Sequence, residues 1–250
     1  MFFGFDLKEL FMFPVKDEQA RKYLLIGALV ALASFFIPIL PYLVLIGYSV
    51  QIARQVLRGE TPHMIPWEDW GGMLKDGAKL LGVRLVYSIP ILIVASPLML
   101  GGIAMPFMAE SMNSSEVDTF IAIFSIIMMG GMCILIPISL PLAVIIPVAE
   151  MHVVDNDDFA AGFRFKEWWG ILRANLGGFI AAFAIYYVIS MVLAIGMQIL
   201  IATLILACLL FILMPAMTIY LTLIMYTTVA LAYRDGRAKL NEPTKTEFAA

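Results

Sequence analysis

Four stretches of this chain contain no Asp, Glu, Lys, Arg or His: 23–53 (31 residues), 85–109 (25), 119–149 (31) and 176–233 (58). A helix that crosses a bilayer needs roughly 20 predominantly apolar residues, and every one of these stretches is longer. A soluble domain carries about 25% charged residues; this chain carries 14%, with a mean hydropathy of +0.94. The sequence therefore predicts an all-α fold, a polytopic transmembrane helical bundle.

The number of crossings turns on the first stretch. As one helix, 23–53 would be about 46 Å long at 1.5 Å per residue, more than the ~30 Å hydrocarbon core. Pro38 and Pro41 sit near its middle, and proline removes a backbone donor and kinks a helix. The stretch is either one tilted, kinked helix or a hairpin of two limbs. The run 176–233 accommodates two passes. The expected total is 5–6 membrane segments in a single integral membrane domain spanning 1–250, with a flexible cytoplasmic tail over 234–250.

Two Trp-bearing surface segments separate the apolar runs. In 67–81, Trp67, Trp70, Leu74, Ala78 and Leu81 share one helical face, while Glu68, Lys75 and Lys79 lie on another. In 159–173, Phe165, Trp168, Trp169 and Leu172 cluster, with Asp157 or Asp158 placed to cap the helix. Tryptophan favours the headgroup level, so both segments read as amphipathic helices lying in the membrane interface. Trp67, Trp70, Trp168 and Trp169 are then interfacial anchors. Residues 2–13, with Phe3, Leu7, Leu10 and Phe11 on one face, suggest a short interfacial helix ending at Pro14.

The surface segments also anchor a weak internal repeat. Asp69–Lys75 aligns with Glu167–Arg173 as acid, Trp, any, small, apolar, Leu, base. Ile37–Pro41 has a counterpart in Ile136–Pro141, shifted by one residue. Duplication is common in membrane transporters. The repeats would be 23–109 and 119–207, leaving an extra C-terminal helix at 208–233.

Lys and Arg near helix ends orient a membrane protein. The segment 54–84 has five, 150–175 has three, the tail from 234 has four, and the connector 110–118 has none. This expects the two surface segments and the C-terminus in the cytoplasm and 110–118 outside, in a prokaryotic inner or plasma membrane. Five single passes would put the N-terminus outside, against its four basic residues Lys8, Lys16, Arg21 and Lys22. A hairpin within 23–53 removes the conflict. The balanced charge of the first 22 residues, and the long apolar run after them, do not read as a cleavable signal peptide.

Chemistry is sparse. There are two histidines, and no Walker loop, HExxH or GxSxG motif. Glu150, His152, Asp155 and Asp157 read as a solvated turn and cap rather than a metal set. Cys133 and Cys208 lie inside apolar runs and read as small buried hydrophobes. No cofactor, metal or catalytic residue is implied, and a net charge of −3 does not suggest nucleic acid. Membrane lipids are the expected partners, with a protein partner or homo-oligomer as a further option. Arg54, Arg58, Lys75, Lys79 and Arg84 form a basic cluster suited to anionic lipids, though topology alone also explains them. Arg84 would pair with Asp76 or meet a headgroup. Within the apolar runs, Gln198 is the costliest polar group to bury, and Thr218 and Thr222 share a face as glue between helices.

Gly47-Tyr48, Arg54, Gly59-Glu60, Pro66, Asp69-Trp70-Gly71, Asp76-Gly77 and Tyr87 make a pattern, continued by Tyr233-Arg234 and Gly236-Arg237. It resembles a family of uncharacterised prokaryotic integral-membrane proteins known only as a domain of unknown function. A looser likeness is to the membrane domains attached to some glycerophosphodiester phosphodiesterases. The resemblance implies an architecture and no activity. The expectation is a non-enzymatic scaffold, accessory or lipid-interacting module, with a transporter or channel for an uncharged or apolar substrate as the alternative.

Overall fold

A computed structural model describes residues 7–110, 113–202 and 209–241. Eight α-helices make up the described chain: α1 (Leu7–Met12), α2 (Glu18–Ala33), α3 (Leu40–Leu57), α4 (Trp70–Ala109), α5 (Ser114–Asn156), α6 (Phe165–Ala174), α7 (Leu176–Ala202) and α8 (Leu210–Asn241). Five of them, α3, α4, α5, α7 and α8, are long and apolar enough to cross a membrane. The chain forms two compact units, Met1–Val83 with Pro147–Ala250, and Arg84–Ile146.

The stretch 23–53 is a hairpin. Asp17 opens α2: its side chain accepts from the N–H of Ala20 at 2.7 Å, which satisfies an orphan donor of the first turn. The helix stops at Ala33, and α3 starts at Leu40 with Pro41 in its first turn, where a missing N–H costs nothing. Pro38 keeps the intervening residues out of helix. The two limbs pack together. The indole of Trp67 joins them, donating to the Tyr23 carbonyl at 3.0 Å and stacking on Tyr48. Gly59, with φ +84, turns the chain after α3.

In the first unit α3 is the core: most of its residues from Leu43 to Leu57 are buried. It meets α4 at two glycines. A Cβ on Gly47 would overlap the backbone of Met73, and one on Gly77 would overlap the backbone of Leu43. The two helices are therefore antiparallel and in backbone contact there. The extra C-terminal helix of the sequence reading is the hub instead. α8 packs against α1, α2, α3, α6 and α7.

Several expected boundaries shift. Segment 67–81 is not a separate interfacial helix; α4 runs unbroken from Trp70 to Ala109. Its inward residues Met73, Asp76, Leu80 and Val83 are buried, so packing carries the helix past Gly71-Gly72. The second segment is a separate helix, α6, because Asn175 leaves helical geometry with φ −135 and ψ 40. Asn175 is held there by donating to Ala232 O and accepting from Lys239. Residues 234–241 belong to α8 rather than to a tail, and 242–250 lie outside the described residues. At the N-terminus α1 packs on α8 with Leu10 buried, and Pro14 falls in a 3-10 turn. Phe3 lies outside the described residues.

In the second unit, α4 and α5 pack antiparallel, with Gly101 against Phe124 and Gly131 against Leu98. Helix α4 carries Pro90, Pro97 and Pro106 without a break. The most apolar 18-residue stretch of each of these two helices has no buried residue.

Candidate functional site

Four helix ends of the first unit converge on a crevice of about 670 Å³. The end of α3 supplies Arg54 and Arg58, the start of α4 supplies Lys75 and Asp76, the end of α5 supplies Asp155, and α8 supplies Arg237. Asp69 and Asp157 complete the lining just outside α4 and α5.

Arg54 is the central group. Its guanidinium donates to both carboxylate oxygens of Asp76, one at 3.0 Å, and to Asp157 at 3.1 Å. Asp76 is buried, so the bidentate pair supplies the cation its carboxylate needs away from water. Lys79 reaches Asp157 from the other side, donating to its carboxylate at 2.8 Å and its carbonyl at 3.1 Å. Asp157 stands at φ 51 just past α5, a left-handed position that Asp tolerates better than most residues. Lys79 beside it, then the charges of Arg54 and Lys75, hold its carboxyl below the ordinary carboxylate range. Arg237 donates to both oxygens of Asp155. Gln51 donates to Asp69, which also caps α4 by accepting from the N–H of Gly72 at 2.9 Å.

The crevice is therefore charge-balanced, not basic. Arg54, Arg58, Lys75 and Arg237 face Asp69, Asp76, Asp155 and Asp157. Of the residues expected to meet anionic lipid, Arg54 and Lys79 are engaged by carboxylates. Arg58 is exposed and pairs with Glu60 at 2.8 Å, which pulls the Glu60 carboxyl below its ordinary range. Lys75 is exposed. Arg84 is half-buried, and Asp76, its expected partner, belongs to Arg54.

A second network surrounds His152. The ring lies 2.6 Å from the Tyr233 hydroxyl and 3.0 Å from a Glu167 carboxylate oxygen, linking α5, α8 and α6. Tyr226 donates to Glu150 at 3.1 Å. Glu150, His152, Asp155 and Asp157 thus turn to four different sets of partners, and no group of three metal-ligating residues occurs among the described residues.

The four tryptophans divide. Trp67 and Trp168 are buried, and each indole N–H donates to a backbone carbonyl, of Tyr23 and Gly162. They pin loops to the core. Trp70 is 46% exposed, and Trp169 is half-buried against Phe165. The aligned pair of the repeat, Trp70 and Trp168, occupies opposite environments. Asp158 makes the expected cap, accepting from Ala160. Thr218 and Thr222 bond back to carbonyls of their own helix, as membrane threonines commonly do. Gln198 lines a groove of about 360 Å³ between α7 and α8 with Thr218. Sequence reading missed the roles of Asp76, Asp155 and Arg237. The signal available was that 54–84 and 150–158 carry opposite net charge.

Five membrane-length apolar helices and no strand among the described residues, with four of the five helices joined at one end by paired charges, define the class: the chain has the make-up of a polytopic helical membrane protein. Residues 29–202 match the family described as "Protein of unknown function (DUF4013)", and the chain belongs to that family. The matched stretch stops short of α8, the hub of the first unit. No curated protein and no solved structure matches.

Proposed function

We propose that this is an integral membrane protein of the cell membrane that works without catalysis, as a scaffold or accessory module in contact with lipid. One observation carries the reading: its ionic groups are spent on one another while its apolar helices are left bare. The charged crevice is neutralised by its own bidentate pairs, and the apolar cores of α4 and α5 have no buried residue. With all its cations outside the apolar runs, the charged end of the bundle faces the cytoplasm. The exposed cations Arg58 and Lys75 are the two placed to meet anionic headgroups.

The groove lined by Gln198 and Thr218 favours a second reading, a transporter or channel for an uncharged or apolar substrate. Flux measurements on purified protein in liposomes separate the two. The scaffold reading expects leakage equal to that of empty liposomes for a panel of small uncharged solutes. Saturable, protein-dependent flux that Gln198→Leu abolishes would replace it with the transporter.

A further inference from the structure

We propose that the α2–α3 hairpin enters the bilayer without crossing it, so that its apolar apex ends in the hydrocarbon of the near, cytoplasmic leaflet. The proposal rests on the reading of the chain as an integral membrane protein, and it deepens the lipid contact in that reading.

The apex is built for hydrocarbon. Phe35 is 65% exposed, Phe36 84%, Ile39 61%, and Ile37 and Leu40 are also exposed. No charge lies between Lys22 and Arg54. The outward face of α2 changes character along its length: Glu18, Gln19, Arg21 and Lys22 are exposed at its start, Leu25 and Leu29 further on. That sequence of side chains is what a limb leaving water for lipid requires.

Measured between the flanking charge and the apex, each limb is shorter than a crossing. From Lys22 to the end of α2 at Ala33 is eleven residues, about 17 Å of helix. From Leu40 to Arg54 is fourteen, about 21 Å. A crossing needs roughly 20 residues and ~30 Å in each limb. A stretch long enough for one crossing has been folded into two half-crossings.

The packing of α3 on α4 gives an independent measure. Leu43 lies against Gly77 and Gly47 against Met73 in antiparallel register. Continued to the start of α3, that register puts the apex beside Leu80 and Leu81. These residues precede Arg84, the last charge before the apolar run 85–109. The apex thus lies beside the part of α4 that still belongs to the first unit. Helix α3 meets the length and composition of a span, yet most of it from Leu43 to Leu57 is buried inside the first unit.

The crossings then reduce to α4, α5, α7 and α8. With four crossings and a hairpin that returns, the N-terminus, 54–84, 150–175 and the C-terminus share one side. Those segments hold all 16 Lys and Arg residues. The conflict over the four N-terminal cations disappears, as charge-biased topology demands.

Single cysteines at Phe36, Ile37, Thr61 and Asn113, in a Cys133→Ser, Cys208→Ser background in sealed vesicles, test this. A membrane-impermeant maleimide should label Thr61→Cys and Asn113→Cys from opposite faces. It should label Phe36→Cys and Ile37→Cys from neither face until detergent is added. A bimane probe at position 36 should be quenched by chain-brominated lipids. Labelling of positions 36 and 37 from the Asn113 face would show a full crossing, and labelling from the Thr61 face an apex in water; either overturns the proposal. If Thr61→Cys and Asn113→Cys instead label from one face, the integral-membrane reading itself has failed, and the proposal falls with it.

Discussion

The rings of Tyr48 and Trp67 stack with centroids 3.9 Å apart and planes 3° from parallel. Around this stack three segments are tied. The Tyr48 hydroxyl donates to Ile65 O at 2.9 Å and accepts from Ile65 N–H at 3.1 Å, while Trp67 donates to Tyr23 O. Trp67→Ala should destabilise the protein by about 3–5 kcal/mol, the usual loss for a buried aromatic. Trp67→Phe keeps a ring on Tyr48 and loses the donor, and should cost about 1 kcal/mol beyond its smaller area. Thermal unfolding in detergent reads both: equal losses would refute the role of the ring stack, and a Trp67→Phe loss no larger than its smaller area predicts would refute the separate role of the N–H.

The glycine crossing between α3 and α4 makes a sharper test. A methyl at Gly47 or Gly77 meets backbone, which has no rotamer to yield. Gly47→Ala and Gly77→Ala should each cost about 1–3 kcal/mol through overpacking. Gly71, in the first turn of the same α4, has open space where a Cβ would go. Gly71→Ala should be neutral or gain up to about 1 kcal/mol from helix propensity. If all three variants melted together, the close approach would be wrong.

Arg54 and Asp76 should show strong coupling. Removing either partner of a buried pair leaves an uncompensated charge and costs about 3–5 kcal/mol. Arg54→Gln should therefore be more harmful than Arg58→Gln, since Arg58 and Glu60 are an exposed pair screened by water. Arg54→Lys should not rescue fully, because a lysine cannot hold Asp76 bidentately while reaching Asp157. In a double-mutant cycle, Arg54→Gln with Asp76→Asn should fall short of the sum of the single losses by about 0.5–3 kcal/mol.

The helices and their broad boundaries were legible because charge-free length and proline placement are local properties. The hairpin at 34–39 was legible as an alternative, since Pro38 and Pro41 allow a break or a kink and only the packing of Trp67 on Tyr23 and Tyr48 decides. The site was not legible. Arg54 and Asp76 are 22 positions apart, and Arg54 and Asp157 103 apart; a run of cations looks basic until the fold brings up its acids. Trp67 and Trp70 are alike in sequence, yet one is buried and the other exposed, because the backbone turns between them from loop into α4.

Acid should loosen the link from α5 to α3 and α4 through Asp157. Its folded-state carboxyl is held below the ordinary value, first by the hydrogen bond from Lys79 and then by the charges of Lys79, Arg54 and Lys75. A depressed carboxylate contributes stability that is fully present above the unfolded value near 3.9 and is lost as pH falls through the lower folded value. The contribution is small, since the side chain is 69% exposed. The melting temperatures of wild type and Asp157→Asn should therefore differ by a constant amount from about pH 8 to about pH 5. They should converge only in stronger acid. Convergence already near pH 6 would show that the Asp157 carboxylate is not the group responsible.

The exposed and the paired cations should separate by function. Near a membrane surface each Lys or Arg attracts anionic lipid by about 1 kcal/mol, but only where its charge is not already met. Lys75 is exposed, and Arg58 is held only by an exposed pair with Glu60 that a headgroup can replace, so Arg58→Glu with Lys75→Glu should lower the anionic lipid retained by the purified protein, read by mass spectrometry of extracted lipids, and leave the melting temperature nearly unchanged. Arg54→Glu with Lys79→Glu should do the reverse: it places acids against Asp76 and Asp157 and should unfold the crevice. If both pairs changed lipid retention alike without loss of stability, the five-residue basic cluster would be a lipid site after all, and the charge-balanced crevice would not be the structural element described.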